Sequence, residues 1–188
     1  MNLVPKKTLR RQAITGTARF LTFSCYRRLR LFDNPLIKDH FVKTIASALL
    51  AHDMALLAWV VMPEHVHLIV VPENAARVPA FLRTLKRPFA RAVLDRWRML
   101  NAAVLPRLRD RAGGTHFWQA GGGYDRAVIG EELIEKIRYV HANPVMRGLA
   151  VDSVSWKWSS AAAYAGRDNA VGPTIAFDLL PPLDRDVT

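Results

Sequence analysis

A lone cysteine, Cys25, stands in a chain of 188 residues. That excludes an internal disulfide framework and any zinc cluster built from cysteine alone. Long apolar runs are missing too: stretches such as Ala55–Met62 fall well short of the ~20 residues a membrane span needs. The basic N-terminus MNLVPKKTLRR leads into no extended apolar segment, so it does not read as a secretory signal. Acidic residues are scarce, with 16 Asp+Glu against 27 Lys+Arg and a net charge of +11. Hydrophobic residues make up 51% of the chain, enough for a real core, so a wholly disordered chain is excluded. What remains is a basic domain, expected in the cytoplasm, without repeats or low-complexity tracts.

The positive charge is local. Eight basic residues and no acid precede Asp33. Nine more, with only Asp95 and Asp110 against them, lie between Arg83 and Arg111, which leaves the rest of the chain mildly acidic. Patches of Lys and Arg attract phosphate polyanions, and Arg, the commoner of the two here, forks onto phosphate in two-point geometry. Nucleic acid is therefore favoured over a membrane surface, with an ordinary solvated face as the bland alternative. Arg83, Lys86, Arg87 and Arg91 are the expected backbone contacts; Arg83, Arg87 and Arg91 fall four apart in one helical stripe. Arg10 and Arg11 are expected to contribute to backbone binding from a flexible arm over residues 1–16.

Arg19–Tyr26 alternates Phe and Thr and reads as a strand. Asp33-Asn34-Pro35 opens a helix, with apolar residues at helical spacing from Ile37 to about Ala51. Ala55–Met62 and Val66–Val71 read as two strands joined at Pro63-Glu64. A second helix follows Val78, Phe81, Leu82, Leu85, Phe89, Val93 and Trp97, and Pro88 is expected to kink or split it. Asn101–Thr115 is a basic loop, Tyr124–Ile129 a short strand, and a third helix starting near Gly130 is expected to stop before Pro144. Beyond Tyr164 the pattern is too weak to place, giving a core domain over 17–164 and a tail over 165–188. The order β, α, β-β, α, β, α predicts a mixed α+β sandwich with a largely antiparallel sheet and helices on one face.

Chemistry concentrates in PEHVHLIV. Side chains on a strand alternate faces, so His65 and His67 share one, about 7 Å apart along the backbone, and can converge on one cation. Two unpartnered polar rings in an otherwise apolar strand would cost a few kcal/mol, so a ligand there is the expectation. With no spare cysteine, the remaining ligands must come from Glu64 or from elsewhere in the chain. On the third helix, a wheel puts Tyr139 roughly 160° from the apolar direction at about 100° per residue. Asn143 lies one turn further along on the same side. The phenol is a candidate nucleophile and the amide oxygen a candidate third metal ligand. Glu64 is assigned a turn or supporting part rather than a catalytic one.

His65-Val66-His67 resembles the metal-binding motif of the single-tyrosine HUH transposases. YVHANPVMRGL (Tyr139–Leu149), Trp156-Lys157-Trp158-Ser159-Ser160 with Tyr164, and Phe117-Trp118-Gln119 with Tyr124-Asp125-Arg126 are similar to signatures of the REP-associated tyrosine transposase branch. The resemblance covers about residues 17–164. It implies a ferredoxin- or RRM-like antiparallel sheet flanked by helices, the HUH endonuclease fold. It also implies Tyr139 as nucleophile, and His65, His67 and Asn143 as ligands of Mg²⁺ or Mn²⁺. Mn²⁺ suits imidazole better, and Mg²⁺ prefers oxygen. The implied substrate is single-stranded or hairpin DNA of the REP type, cut through a 5′-phosphotyrosine link; the alternative is a DNA-binding module of the same fold that no longer cuts. The triple glycine at 121–123 and the chain beyond Tyr164 lie outside the pattern.

Overall fold

The computed structural model describes residues 17–167 and 170–181; the arm over 1–16, with Arg10 and Arg11, lies outside them. Strand β1 (Arg19–Cys25) leads into helix α1 (Pro35–His52), strands β2 (Ala55–Val61) and β3 (His65–Val71), helix α2 (Val78–Met99), strand β4 (Trp118–Ala127) and helix α3 (Gly130–Met146). The sheet order is β2-β3-β1-β4, antiparallel at each pairing. This is the split βαβ arrangement, in which each crossover helix carries the chain over one intervening strand. Helix α1 starts where Asn34 accepts the Leu36 N–H (2.9 Å) and Pro35 fixes the first turn.

Helices cover both faces of the sheet, not one. Leu21, Phe23, Val66, Leu68 and Val70 pack under α1 and α2, against Phe41, Ile45, Phe81, Leu85 and Phe89. The opposite face carries Phe20, Val60 and Ile69, covered by Leu133, Ile137 and Val140 of α3. Strands β2 and β3 are apolar at nearly every position because they are buried from both sides.

Four expectations about elements change. Helix α2 runs unbroken through Pro88: proline removes one backbone bond, and buried Leu85, Phe89 and Val93 hold the turns on either side. Helix α3 likewise continues through Pro144 to Met146, since a proline in the last turn costs only the bond to Val140. Strand β4 begins at Trp118, six residues earlier than expected, because the glycine run is a bulge within it. Its register against β1 shifts between Phe23 and Cys25, and Gly121 takes φ +63, a conformation glycine adopts without penalty. The segment beyond Tyr164 packs back onto the sheet, with Ile175 in the core and the Ala176 N–H bonded to the Leu56 carbonyl (2.9 Å).

Candidate active site

Strand β3 delivers both histidines to the α3 face, as the alternation requires. Their Nε2 atoms lie 3.1 Å apart. Each ring is anchored from behind: His65 Nδ1 meets Glu64 Oε1 at 3.0 Å, and His67 Nδ1 meets the Thr22 hydroxyl at 2.8 Å from the paired position on β1. Asn143 reaches down from α3, its Nδ2 3.3 Å from His67 Nε2. Its Oδ1 is buried with no hydrogen-bond partner. Tyr139 stands one turn earlier on α3, its ring centroid 5.4 Å from that of His67 and 6.3 Å from that of Phe20. Tyr139 is 41% exposed. The Lys136 ammonium sits 5.7 Å from the centre of the same ring.

Burial pushes the His67 imidazole down to about 3, with His65 and Arg28 adding to the effect. Burial also lowers His65, against the opposing pull of Glu64. Both rings are therefore neutral near pH 7. The carboxylate of Glu64 can only accept, so His65 carries its proton on Nδ1 and presents a lone pair at Nε2. With the His67 proton on Nδ1, toward the Thr22 hydroxyl, its Nε2 presents a lone pair as well. At 3.1 Å the two Nε2 atoms can share one proton as an N–H···N hydrogen bond, or, with both protons on Nδ1, turn two lone pairs on one cation. Bonds of about 2.1 Å at right angles would separate two ligands by about 3.0 Å. Rotating the Asn143 amide half a turn would bring its unpartnered Oδ1 to the same point. The donor set thus fits a divalent cation. Among the described residues no three His, Cys, Asp or Glu side chains are placed to hold one metal ion together, so the third protein ligand would be this amide.

The structure thus brings His65, His67, Asn143 and Tyr139 together. One detail differs: the wheel put Asn143 on a face the core does not use, whereas it is buried. Ile134 is only partly buried, so the true centre of the stripe lies nearer Leu133, Ile137 and Val140. That turns Tyr139 and Asn143 to its margin, facing the sheet. Arg83, Lys86, Arg87 and Arg91 do not join the site. They belong to α2, on the opposite face of the sheet. Arg83, Lys86 and Arg87 line a groove of about 650 Å³ with His116, Trp118 and Gln119, and no acid contributes to its wall. Lys86 is partly buried there, 5.2 Å above the Phe23 ring, and burial lowers its pKa. Arg91 is exposed beside Asp95. Sequence reasoning missed Thr22, which holds His67, and Arg28 and Arg147, which both pair with Glu64. Only Arg147 left a trace, since it follows Tyr139 and Asn143 at the same four-residue interval.

A βαββαβ sheet thus presents paired histidines on a central strand beneath a tyrosine of the covering helix. The chain is a member of the IS200-like transposase family, whose sequence profile matches residues 15–143 and so spans His65, His67, Tyr139 and Asn143. No curated protein matches it in sequence. Among solved structures, it is similar to a REP-associated tyrosine transposase bound to a REP hairpin. Identity is 19%, the TM-score is 0.59, and the match covers 98% of this chain and 99% of that one. A transposase candidate from Deinococcus radiodurans R1 is also 19% identical, with a TM-score of 0.45, covering 74% of this chain and 95% of that one.

Proposed function

We propose that this transposase is a metal-dependent single-strand DNA endonuclease and strand transferase that works through Tyr139 at hairpins of the REP type. The observation that carries the reading is the meeting of the Tyr139 ring with His67, 5.4 Å between centroids, beside two Nε2 atoms 3.1 Å apart and an unpartnered amide oxygen. His65, His67 and Asn143 would hold Mg²⁺ or Mn²⁺. Bound there, the cation would draw charge from a non-bridging oxygen of the scissile phosphate.

The remaining work falls to the chain. Glu64 and Thr22 keep both imidazoles turned with Nε2 inward. Partial exposure leaves the Tyr139 phenol open to a strand lying across α3. The phenol oxygen forms a bond to phosphorus as the bond from phosphorus to the 3′-oxygen breaks. The phenol proton passes to water, and the departing 3′-oxygen takes one up. The 5′-phosphotyrosine link retains the energy of the broken ester, so a 3′-hydroxyl can later attack it and rejoin DNA without another energy source. Arg83, Lys86, Arg87 and Arg91 bind DNA backbone, with Arg10 and Arg11 as an arm, and the protein acts in the cytoplasm beside the nucleoid. The hairpin preference draws its support from the solved relative with a REP hairpin bound.

The test is covalent trapping. Labelled single-stranded DNA carrying a REP-type hairpin, incubated with Mn²⁺ or Mg²⁺, is expected to give an adduct that survives denaturation. Tyr139→Phe should abolish it; an equal yield from that variant would overturn the assignment. Tight binding with no adduct from the unaltered protein would instead favour the non-cutting DNA-binding module.

A further inference from the structure

Glu64 carries more partners than its support of His65 needs. Its side chain is almost fully buried, and the single atom Oε1 receives His65 Nδ1 at 3.0 Å, Arg147 Nη1 at 3.0 Å and Arg28 Nη2 at 3.5 Å. Burial alone would raise the carboxyl pKa; its two strongest opponents, His65 and Arg147, hold it below the usual range. One carboxylate therefore faces two guanidiniums, leaving a full positive charge unmatched. Neither arginine pairs with another acid among the described residues. Their side chains are 47% and 61% exposed, so each keeps free N–H groups toward solvent.

The backbone is bent to put Arg28 there. Arg27 and Arg28 take φ +51 and +53, two successive side-chain-bearing residues in the left-handed region, which is costly. The turn is pinned by the Arg27 N–H on Gln119 Oε1 (3.0 Å) and the Tyr26 N–H on the Phe117 carbonyl (2.8 Å). Arg147 arrives from the other side. It caps α3 and continues the row of Tyr139 and Asn143, each step of four residues advancing about 6 Å along the axis. That advance is comparable to the separation of successive phosphates in an extended strand. A strand with one phosphate at Tyr139 and Asn143 lays its neighbour at Arg147.

We propose that Arg147 and Arg28, tethered by Glu64, form a second phosphate seat that grips the phosphodiester next to the scissile one. This rests on the reading of Tyr139 as the nucleophile. The seat binds substrate through charge-assisted, forked hydrogen bonds. The shared carboxylate ties its position to that of His65.

The experiment measures binding without metal. Fluorescence anisotropy of a fluorescein-labelled oligothymidylate is followed in EDTA across a salt series for the unaltered protein, Arg147→Gln, Arg28→Gln, the double variant and Arg147→Lys. Removing one arginine–phosphate interaction should make the plot of log affinity against log salt shallower by about 0.7, about a fivefold loss of affinity at 0.1 M salt. The double variant should lose about twice that slope, and Arg147→Lys, which keeps its charge, should retain it. Unchanged slopes in the Gln variants, with or without a lower melting temperature, would reduce both arginines to structural ion pairs and overturn the proposal. If a Gln variant does not fold, the DNA is altered instead. A neutral methylphosphonate beside the scissile position should weaken binding to the unaltered protein more than one several nucleotides away, and equal effects would overturn the seat. Trapping separates the two readings: an adduct with unchanged slopes sinks the seat alone. Absence of any adduct sinks the nucleophile, and with it the place of the seat beside a scissile bond.

Discussion

Glu64 and Thr22 decide which nitrogen of each histidine faces inward, and that choice is worth more than the bonds themselves. Partners of this kind fix the tautomer and basicity of a metal-binding imidazole, and losing one typically costs 10- to 100-fold in metal affinity. Thr22→Val keeps the shape of the side chain and removes only its hydroxyl from His67 Nδ1 (2.8 Å). Titration of the variant with Mn²⁺ by calorimetry is expected to give at least a tenfold weaker constant with an unchanged melting temperature; equal affinity would remove Thr22 from the site. His141 illustrates a different demand on a buried ring. It bonds Ser160 Oγ at 2.8 Å, and burial pushes its pKa down to about 4. The unfolded chain binds that proton near pH 6.5, so the stabilising contribution is complete above that value and is lost as the pH falls toward 4. Between pH 7 and 5 the loss amounts to about 2 kcal/mol. His65 and His67 shift in the same direction and add to it. His141→Gln, which can keep the bond to Ser160, should flatten this part of the stability profile in urea unfolding at the two pH values. An unchanged slope would mean that His141 does not titrate differently on folding.

The elements show how a strand edge is closed by a segment that looks like loop. Strand β2 is the outer strand and would expose a row of unpaired backbone groups. The Trp156–Ser160 motif lies along it instead: Val61 N–H donates to the Trp158 carbonyl (2.9 Å) and Ser160 N–H to the Trp59 carbonyl (3.0 Å). Trp158 is tied down by its indole N–H on Asp39 (2.8 Å) and by the Lys38 ammonium 4.1 Å from its ring centre. Ser160 is the clasp. Its hydroxyl oxygen accepts the Trp59 N–H (3.0 Å) and also meets His141 Nε2. Ser160→Ala leaves that buried N–H and the His141 ring without partners, at about 1–3 kcal/mol for a group left unsatisfied. Chemical unfolding should register a loss of about 2 kcal/mol or more with Mn²⁺ binding retained; no loss would mean water replaces the hydroxyl. Much of this element layout was legible beforehand. Asn34 with Pro35, the unbroken apolar runs of β2 and β3, and the 3.6-residue period of α1 through α3 are local signals. Strand β4 was cut short because glycine reads as a turn when a sheet partner is unknown. Pro88 was over-read as a break and Pro144 as a helix end because neighbouring core residues, invisible locally, outweigh one missing bond.

At the scale of the molecule the sheet separates two groups of residues. Its α3 face carries the histidines, the amide and the tyrosine; its other face carries α1, α2 and the acid-free groove of Arg83, Lys86 and Arg87. The charge blocks in the sequence point to a polyanion as partner. They did not foretell on which side of the sheet, since that follows from the crossover of α2 over β1. His65 and Tyr139 were legible as partners only through the family resemblance. Nothing local in either segment says that a strand and a helix 74 residues apart meet. Division of the two faces makes a prediction about kinetics. DNA long enough to reach both sides would be held by the groove in the ground state and in the transition state alike, so the groove contributes uniform binding. Replacing Arg83 and Arg87 together with Ala should raise KM for hairpin DNA. It should also make binding about 1.4 less steep in log salt, the change expected when two charges no longer neutralise single-strand phosphates. The effect on kcat should be much smaller than on KM, and Mn²⁺ affinity should not change, because neither guanidinium is near the donor set. A fall confined to kcat would mean that the groove instead acts on the reacting phosphate from across the sheet, which this arrangement of layers forbids.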